Sequence, residues 1–235
     1  MLRIEKTVLP SPEQWEIIIE GMRNPMNSWD RSDSYKTHIE NPETLQTADF
    51  EFFVGENDLD LMQRLAKGGS VHAKYRRMIP VWVTLTAPLY WWKEFDTYKV
   101  GTVCNSCSTM HKIHEKEFTM DDFSHEHLFS TGPFVDGEDC FFDPLTVLHE
   151  HAFCLNMFRR KYLETKDKKW WWQMIQLLPT SYNQKRTVML NYEVLANIYH
   201  SRKGHKLDEW HTFCEWIEKL PYAELITGKG GEDNV

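Results

Sequence analysis

Residues 80–112, PVWVTLTAPLYWWKEFDTYKVGTVCNSCSTMHK, constrain the fold more than any other stretch. Pro80 to Thr86 sets Val81, Val83 and Leu85 against Trp82, Thr84 and Thr86, the period-two pattern of a strand with one buried face. Ala87-Pro88 breaks that strand, and proline at a first helical position pre-sets φ for the helix expected next. Tyr90, Trp91, Trp92, Phe95 and Tyr98 then crowd a short helix with rings. A run of small polar residues follows: Gly101, Thr102, Asn105, Ser106, Ser108 and Thr109. An aromatic wall beside small hydroxyl and amide groups predicts a pocket for a flat polar ring.

Composition narrows the function classes. Aromatic residues make up 14% of the 235 positions, with 10 Trp, so rings must fill a core, an interface or a ligand site. The net charge of -8 argues against a nucleic-acid polymer as partner, because phosphate contacts need clustered Lys and Arg. A mononucleotide needs only a local cationic pair. The opening MLRIEKTVL interrupts its apolar run with charges and reads as no signal peptide. No stretch approaches the roughly 20 apolar residues of a membrane helix. The reading is a cytoplasmic protein with no membrane partner. The 5 cysteines have no framework spacing, so reduced thiols are expected.

Taken in order, Leu2 to Leu9 reads as a strand. Ser11-Pro12-Glu13-Gln14 supplies an N-cap, a first-turn proline and a capping-box partner for a helix to about Arg23, where Asn24-Pro25 stops it. Residues 26–48, with SWDRSDS and NPET, read as a long loop with little regular structure, a feature often tied to function. Asn57 is expected to cap a helix over Asp58 to Lys67, and a second short helix covers Ser70 to Met78. Residues 114–142 give no clear pattern beyond a Thr-Gly-Pro turn at 131–133. Asp143-Pro144 starts a helix to about Glu164, with Leu145, Leu148, Ala152, Leu155 and Tyr162 apolar along it. Asp167 opens another through Trp170, Trp171, Trp172, Ile175 and Leu178. Thr187 to Leu190 reads as a strand, Asn191 caps a helix to Arg202, and Leu207 to Leu220 forms a last helix with Trp210, Cys214 and Ile217 inward. The expected architecture is α+β: a central, mostly antiparallel sheet flanked by helices, one domain over residues 1–227, and a disordered tail over 228–235.

Several constellations test a sharp reading against a bland one. Cys104 and Cys107 with His111 and His114 resemble a zinc set, but all four lie in one short segment, whereas structural zinc sites hold two pairs apart. Buried thiols in a tightly packed turn are expected instead, and no metal. His149-Glu150-His151 cannot converge on one ion, since neighbouring helix positions point about 100° apart. Of Trp170 to Trp172, one ring is expected in the core and another facing a subunit or ligand. Asn191 is explained by its capping role alone. Asn197 costs helix propensity in mid-helix, which fits a hydrogen-bonding role. Arg202 at its helix's C-terminal end either answers the dipole or holds a carboxylate, a phosphate or a pyrimidine carbonyl.

Three blocks of these residues resemble the flavin-dependent thymidylate synthases. The first is His72 through the strand to TAPLY. The second is Asn105-Ser106-Cys107-Ser108, similar to the family's Asn-Glu-x-Ser. The third runs from Leu178-Pro179 through Asn191, Leu195 and Asn197 to Arg202 at the family's spacing. Together they cover residues 72–111 and 178–210. The family's Arg-His-Arg falls near Tyr98-Lys99-Val100, its Glu at Ser106, its following Arg near Met110, and its helical Arg at Glu193, with a late His near Lys206. The chain therefore resembles a divergent member, of a type associated with bacteriophage and gut bacterial genomes.

The resemblance implies a homotetramer that methylates C5 of a pyrimidine deoxynucleoside monophosphate, of the dUMP-to-dTMP type, using FAD with NADPH and methylenetetrahydrofolate as co-substrates. Carried over by position, it makes Arg202 and Ser108 catalytic. His72, Lys99, Asn191 and Asn197 become cofactor contacts. Asn105, Ser106, Ser108, Thr109 and Arg202 contact the nucleotide, and His111 or Lys112 stands in for the missing phosphate arginine. The departures at Ser106 and Met110 leave two alternatives: a sister enzyme that methylates or hydroxymethylates another nucleotide such as dCMP, or a non-catalytic nucleotide-binding descendant.

Overall fold

Four strands form one sheet in the order β1-β4-β6-β5. They are β1 (Arg3–Val8), β4 (Pro80–Pro88), β5 (Val103–Ser106) and β6 (Asn183–Asn191). With eight α-helices among the described residues this gives an α+β fold with an antiparallel sheet. The computed structural model describes residues 1–39, 49–130 and 143–229. The expected turn at 131–133 and residues 230–235 of the expected tail lie outside them. Of that tail's two described residues, Gly228 closes a helix in the left-handed region (φ 72°), and Lys229 donates to Glu218 at 2.8 Å.

The residues divide into two compact units. One comprises Met1–Ile4, Leu85–Thr97 and Asn105–Arg186; the other Glu5–Thr84, Tyr98–Cys104 and Thr187–Val235.

The first unit contains α3 (Leu89–Phe95), α4 (Pro144–Thr165) and α5 (Lys168–Leu177). Asp143 caps α4 by accepting from Thr146 N at 2.7 Å, and Asp167 caps α5 by accepting from Lys169 N at 3.0 Å. The core joins Leu148, Ala152 and Leu155 of α4 to Met174 of α5 and to Ile113, Phe118 and Phe123 from the preceding segment. In the Trp170–Trp172 run, Trp171 packs half-buried against this core and Trp172 is exposed, while Met174 is the fully buried residue of α5. The short α3 is also a correction. Trp91, Trp92 and Phe95 are 0%, 0% and 1% exposed and pack on one another with centroids 4.9–5.3 Å apart. They are core, not the wall of a pocket: of the four large rings on this seven-residue helix, these three are buried, which removes their apolar surface from water, and Tyr90 stays half-buried. Pro88 is the N-cap of α3 rather than its first residue.

The second unit contains α1 (Pro12–Arg23), α2 (Glu56–Lys67), α6 (Tyr192–Arg202), α7 (Asp208–Glu218) and α8 (Glu224–Thr227). The capping box at α1 forms as the sequence predicts: Gln14 N donates to Ser11 Oγ and Ser11 N to Gln14 Oε1, at 3.3 and 2.8 Å. Helix α6 buries Tyr192, Val194, Leu195, Ala196, Ile198 and Tyr199. So few of its positions stay wet that it is the central helix of its unit, packed on α7, α8 and the 3-10 turn Ala73–Met78. That turn stands where a helix over Ser70 to Met78 was expected.

Residues 26–39 of the expected loop over 26–48 are more ordered than their composition suggests, and residues 40–48 lie outside the described residues. Two 3-10 turns, Asn24–Met26 and Trp29–Arg31, lead into β2 (Tyr35–Ile39), which pairs antiparallel with β3 (Asp49–Phe53) in register Tyr35 to Phe53. Nor does Asn57 cap α2. Gly55 holds the N-cap position without a side chain, and Asp33 supplies the carboxylate, accepting from Asn57 N at 2.9 Å and Asp58 N at 3.1 Å. Asp58 is fully buried and binds the same loop: it accepts from Ser32 Oγ (2.7 Å), Ser34 Oγ (2.6 Å), the amides of Asp33 and Ser34, and Arg23 Nε (2.5 Å).

Candidate functional site

In the second unit the structure gathers three of the predicted residues around α6. Asn191 caps this helix, its Oδ1 accepting from Val194 N at 3.1 Å and leaving the amide hydrogens to donate. The turn Tyr98–Gly101 touches both ends of α6. At the start, a Cβ on Gly101 would meet Val194 and the Asn191 amide at 3.1 and 3.2 Å, and Gly101 sits at φ 80°, so only glycine fits. At the far end Arg202 Nε donates to Tyr98 Oη at 2.9 Å. The guanidinium also lies over the rings of Trp210 and Tyr98, 4.8 and 5.6 Å from their centroids. Arg202 is thus a held, half-exposed cation with a fixed plane, which suits bidentate or carbonyl recognition.

Lys99 projects from the same turn, exposed, and its ammonium has no partner among the described residues. Asn197 is exposed on α6. His72 is exposed at the start of the 3-10 turn, its ring against the backbone at Gly68, and no side-chain hydrogen bond joins it to the others among the described residues. The family's helical arginine position is Glu193, and here it is fully occupied: Arg76 pairs with it at 2.7 Å, each side chain 12% exposed, and Arg76 also donates to Leu225 O at 3.0 Å.

In the first unit the other predicted set forms a surface turn. Asn105 and Ser106 lie exposed on β5, the sheet's edge strand. Cys107 N donates to Lys185 O at 2.9 Å and Gln184 Nε2 to Cys107 O at 3.0 Å, which fixes the start of the turn. Ser108 Oγ accepts from His111 N at 2.9 Å, keeping its own proton free to donate. Thr109 is half-buried, His111 is exposed, and Lys112 pairs with Glu115. Trp171 Nε1 donates to Met110 O at 3.0 Å, and Ile113 enters the core, so the turn is anchored at both ends. Beside it Arg186 binds Asp96 at 2.7 Å and Gln184 Oε1 at 2.9 Å, over the Trp92 ring at 4.2 Å.

Cys104 and Cys107 are exposed, against the expectation of buried thiols: Cys104 lies on the edge strand β5, which no outer strand covers among the described residues, and Cys107 lies just past its end. Among the described residues no group of three or more His, Cys, Asp or Glu is placed to hold a metal, and no helix is long and apolar enough to cross a membrane.

Tyr98 and Trp210, the residues that hold Arg202, were visible in the sequence only as separate aromatics. No spacing rule links positions 98, 202 and 210.

No protein-family model matches the sequence, and no curated protein matches it. Solved structures do match in fold. Thymidylate Synthase X from Helicobacter pylori, crystallised with FAD and dUMP, superposes with a TM-score of 0.60 at 14% identity, covering 97% of this chain and 97% of that one. A second structure of the flavin-dependent thymidylate synthase from the same organism, complexed with FAD and dUMP, gives 0.59 at 15% identity over 97% and 98%. The chain shares the fold of the flavin-dependent thymidylate synthases over essentially its whole length.

Proposed function

We propose that this chain is a methyltransferase acting at C5 of a pyrimidine deoxynucleoside monophosphate, of the dUMP-to-dTMP type, and that it works as a homotetramer. The observation that carries the reading is the end-to-end fold match to two structures of one organism's enzyme solved with FAD and dUMP. The held guanidinium of Arg202 supports it at residue level.

A flavin bound by the chain would supply the two-electron chemistry, with NADPH as reductant and methylenetetrahydrofolate as the carbon source. The local residues fit such a group. Lys99 offers an unpaired point charge to a diphosphate, and the half-buried amide of Asn191 and the exposed one of Asn197 offer donors. Arg202 sits ready to polarise a pyrimidine carbonyl, stabilising negative charge that builds on the oxygen. Tyr98 and Trp210 position that guanidinium and keep it from swinging away. Within the first unit, Ser108, with its hydroxyl proton left to donate, and His111 or Lys112 are the candidates for contact with a nucleotide and its phosphate.

The decisive experiment combines FAD titration of the purified chain with growth of a thymidine-requiring strain carrying it. Saturable flavin binding with rescue is expected. Absence of both sinks the reading. Ser106 and Met110, in place of an acid and an arginine, favour a second reading in which the base has a different exocyclic edge, as in dCMP. Labelled methylenetetrahydrofolate supplied with dUMP or dCMP separates the two by which nucleotide acquires the label.

A further inference from the structure

We propose that the cavity walled by Trp29 and Phe52 above Glu16 and Glu20, and bordered by the start of β2 at Tyr35, binds a small quaternary-ammonium cation of the choline type. This site lies wholly within the second unit and is independent of the methyl-transfer reading. The cavity measures about 380 Å³, within the range of small-molecule sites.

Its rings are open yet immobilised. Trp29 is 49% exposed at the rim, a hydration cost that a bound ligand would relieve, while Tyr35, 58% exposed, shares the face of the β2–β3 pair that Phe53 occupies, opposite Phe52. Neither is loose. Trp29 Nε1 donates to Asn24 Oδ1 at 2.8 Å, and Tyr35 stacks on Phe53 at 5.4 Å across the β2–β3 pair. Phe52 stacks on Trp15 at 6.2 Å with planes 4° apart. The floor is Ile19, and the loop behind is clamped through the buried Arg23–Asp58 pair.

The charge balance selects the ligand. Glu16 and Glu20 are i and i+4 on α1 and share a face. Neither has an ion-pair or hydrogen-bond partner for its carboxylate among the described residues. Arg23, the one cation among the lining residues, is neutralised by the buried Asp58, and Lys36 of β2 pairs with Glu13. Aromatic faces present the negative side of their quadrupole, and two unpaired carboxylates add to that field. Together they favour a cation with an apolar shell, which needs no hydrogen-bond acceptors around it.

Isothermal titration of the full chain with choline, and with its uncharged carbon isostere dimethylbutanol, tests the site. One saturable choline site per chain is expected, with the isostere about tenfold weaker or worse. Trp29→Ala and the pair Glu16→Gln with Glu20→Gln should each weaken choline about tenfold. Trp29→Phe, checked for native circular dichroism, should keep most of the affinity. Choline failing to saturate by about 10 mM overturns the proposal, as does equal binding of the isostere or indifference of both variants. Sedimentation of the same proteins covers a rival source of the cation, a lysine from another copy. A smaller species for the Glu16→Gln, Glu20→Gln variant, with no choline binding to either form, also overturns it.

Discussion

At the scale of single residues, Arg202 concentrates the expected chemistry. Its value lies in a plane fixed by Tyr98 and Trp210, which an ammonium on a flexible stem cannot reproduce. Arg202→Lys should therefore lower kcat/KM for the nucleotide by about a hundredfold or more, since both charge placement and polarising power are lost. Tyr98→Phe removes one hydrogen bond while keeping the ring, and should cost about fivefold, near 1 kcal/mol. Steady-state kinetics on the two variants checks the order; equal losses would mean that Tyr98 does more than position. Glu193 is a second case. Its charge is opposite to the one the family resemblance leads one to expect, and Arg76 explains why it is tolerated. Glu193→Gln should destabilise the fold by about 1–3 kcal/mol, because Arg76 stays buried without its counter-charge. In urea melts the double variant with Arg76→Gln should lose less than the sum of the singles.

Among the elements, those whose ends are held by neighbours in sequence were legible. Ser11 with Gln14, Asp143 with Thr146, Asp167 with Lys169 and Asn191 with Val194 each close a cap within three residues, so the pattern is written locally. Helix α2 was not, because its cap carboxylate comes from Asp33, over twenty residues upstream. Asp33→Ala should destabilise the chain by about 1–2 kcal/mol, whereas Asn57→Ala, at the position the sequence suggested, should be nearly neutral. Chemical denaturation of both variants decides between the two caps. Gly55→Ala should also weaken α2, since a Cβ there would sit 2.2 Å from the Asp33 carboxylate. The β2–β3 pair went unseen for a related reason. Two five-residue strands separated by a polar stretch carry too short a period to distinguish pairing from loop.

For the whole molecule, acid stability should track Asp58. Burial works to raise its carboxyl, but the bonds from Ser34, Ser32 and Arg23 outweigh that and hold it below the usual carboxylate range. A depressed folded-state value means that its contribution is complete above the unfolded value of about 3.9 and is lost as pH falls through the folded one. Asp58→Asn should thus cost about 3–5 kcal/mol at pH 7 by stranding Arg23. The gap between variant and parent should narrow only below about pH 4, as thermal melts across pH would reveal. The sequence by itself determined the α+β class, the β4 strand with its buried Val81, Val83 and Leu85, the main helices, and Asn191 as a cap. Those features depend on periodicity and on bonds between residues a few positions apart, which a linear pattern records. Only the tertiary structure decided that Trp91, Trp92 and Phe95 are core, that Arg202 is held between Tyr98 and Trp210, and that Glu193 answers Arg76. Each of these results depends on which distant segments pack together, and that is set by burying the whole apolar surface at once rather than by any local rule.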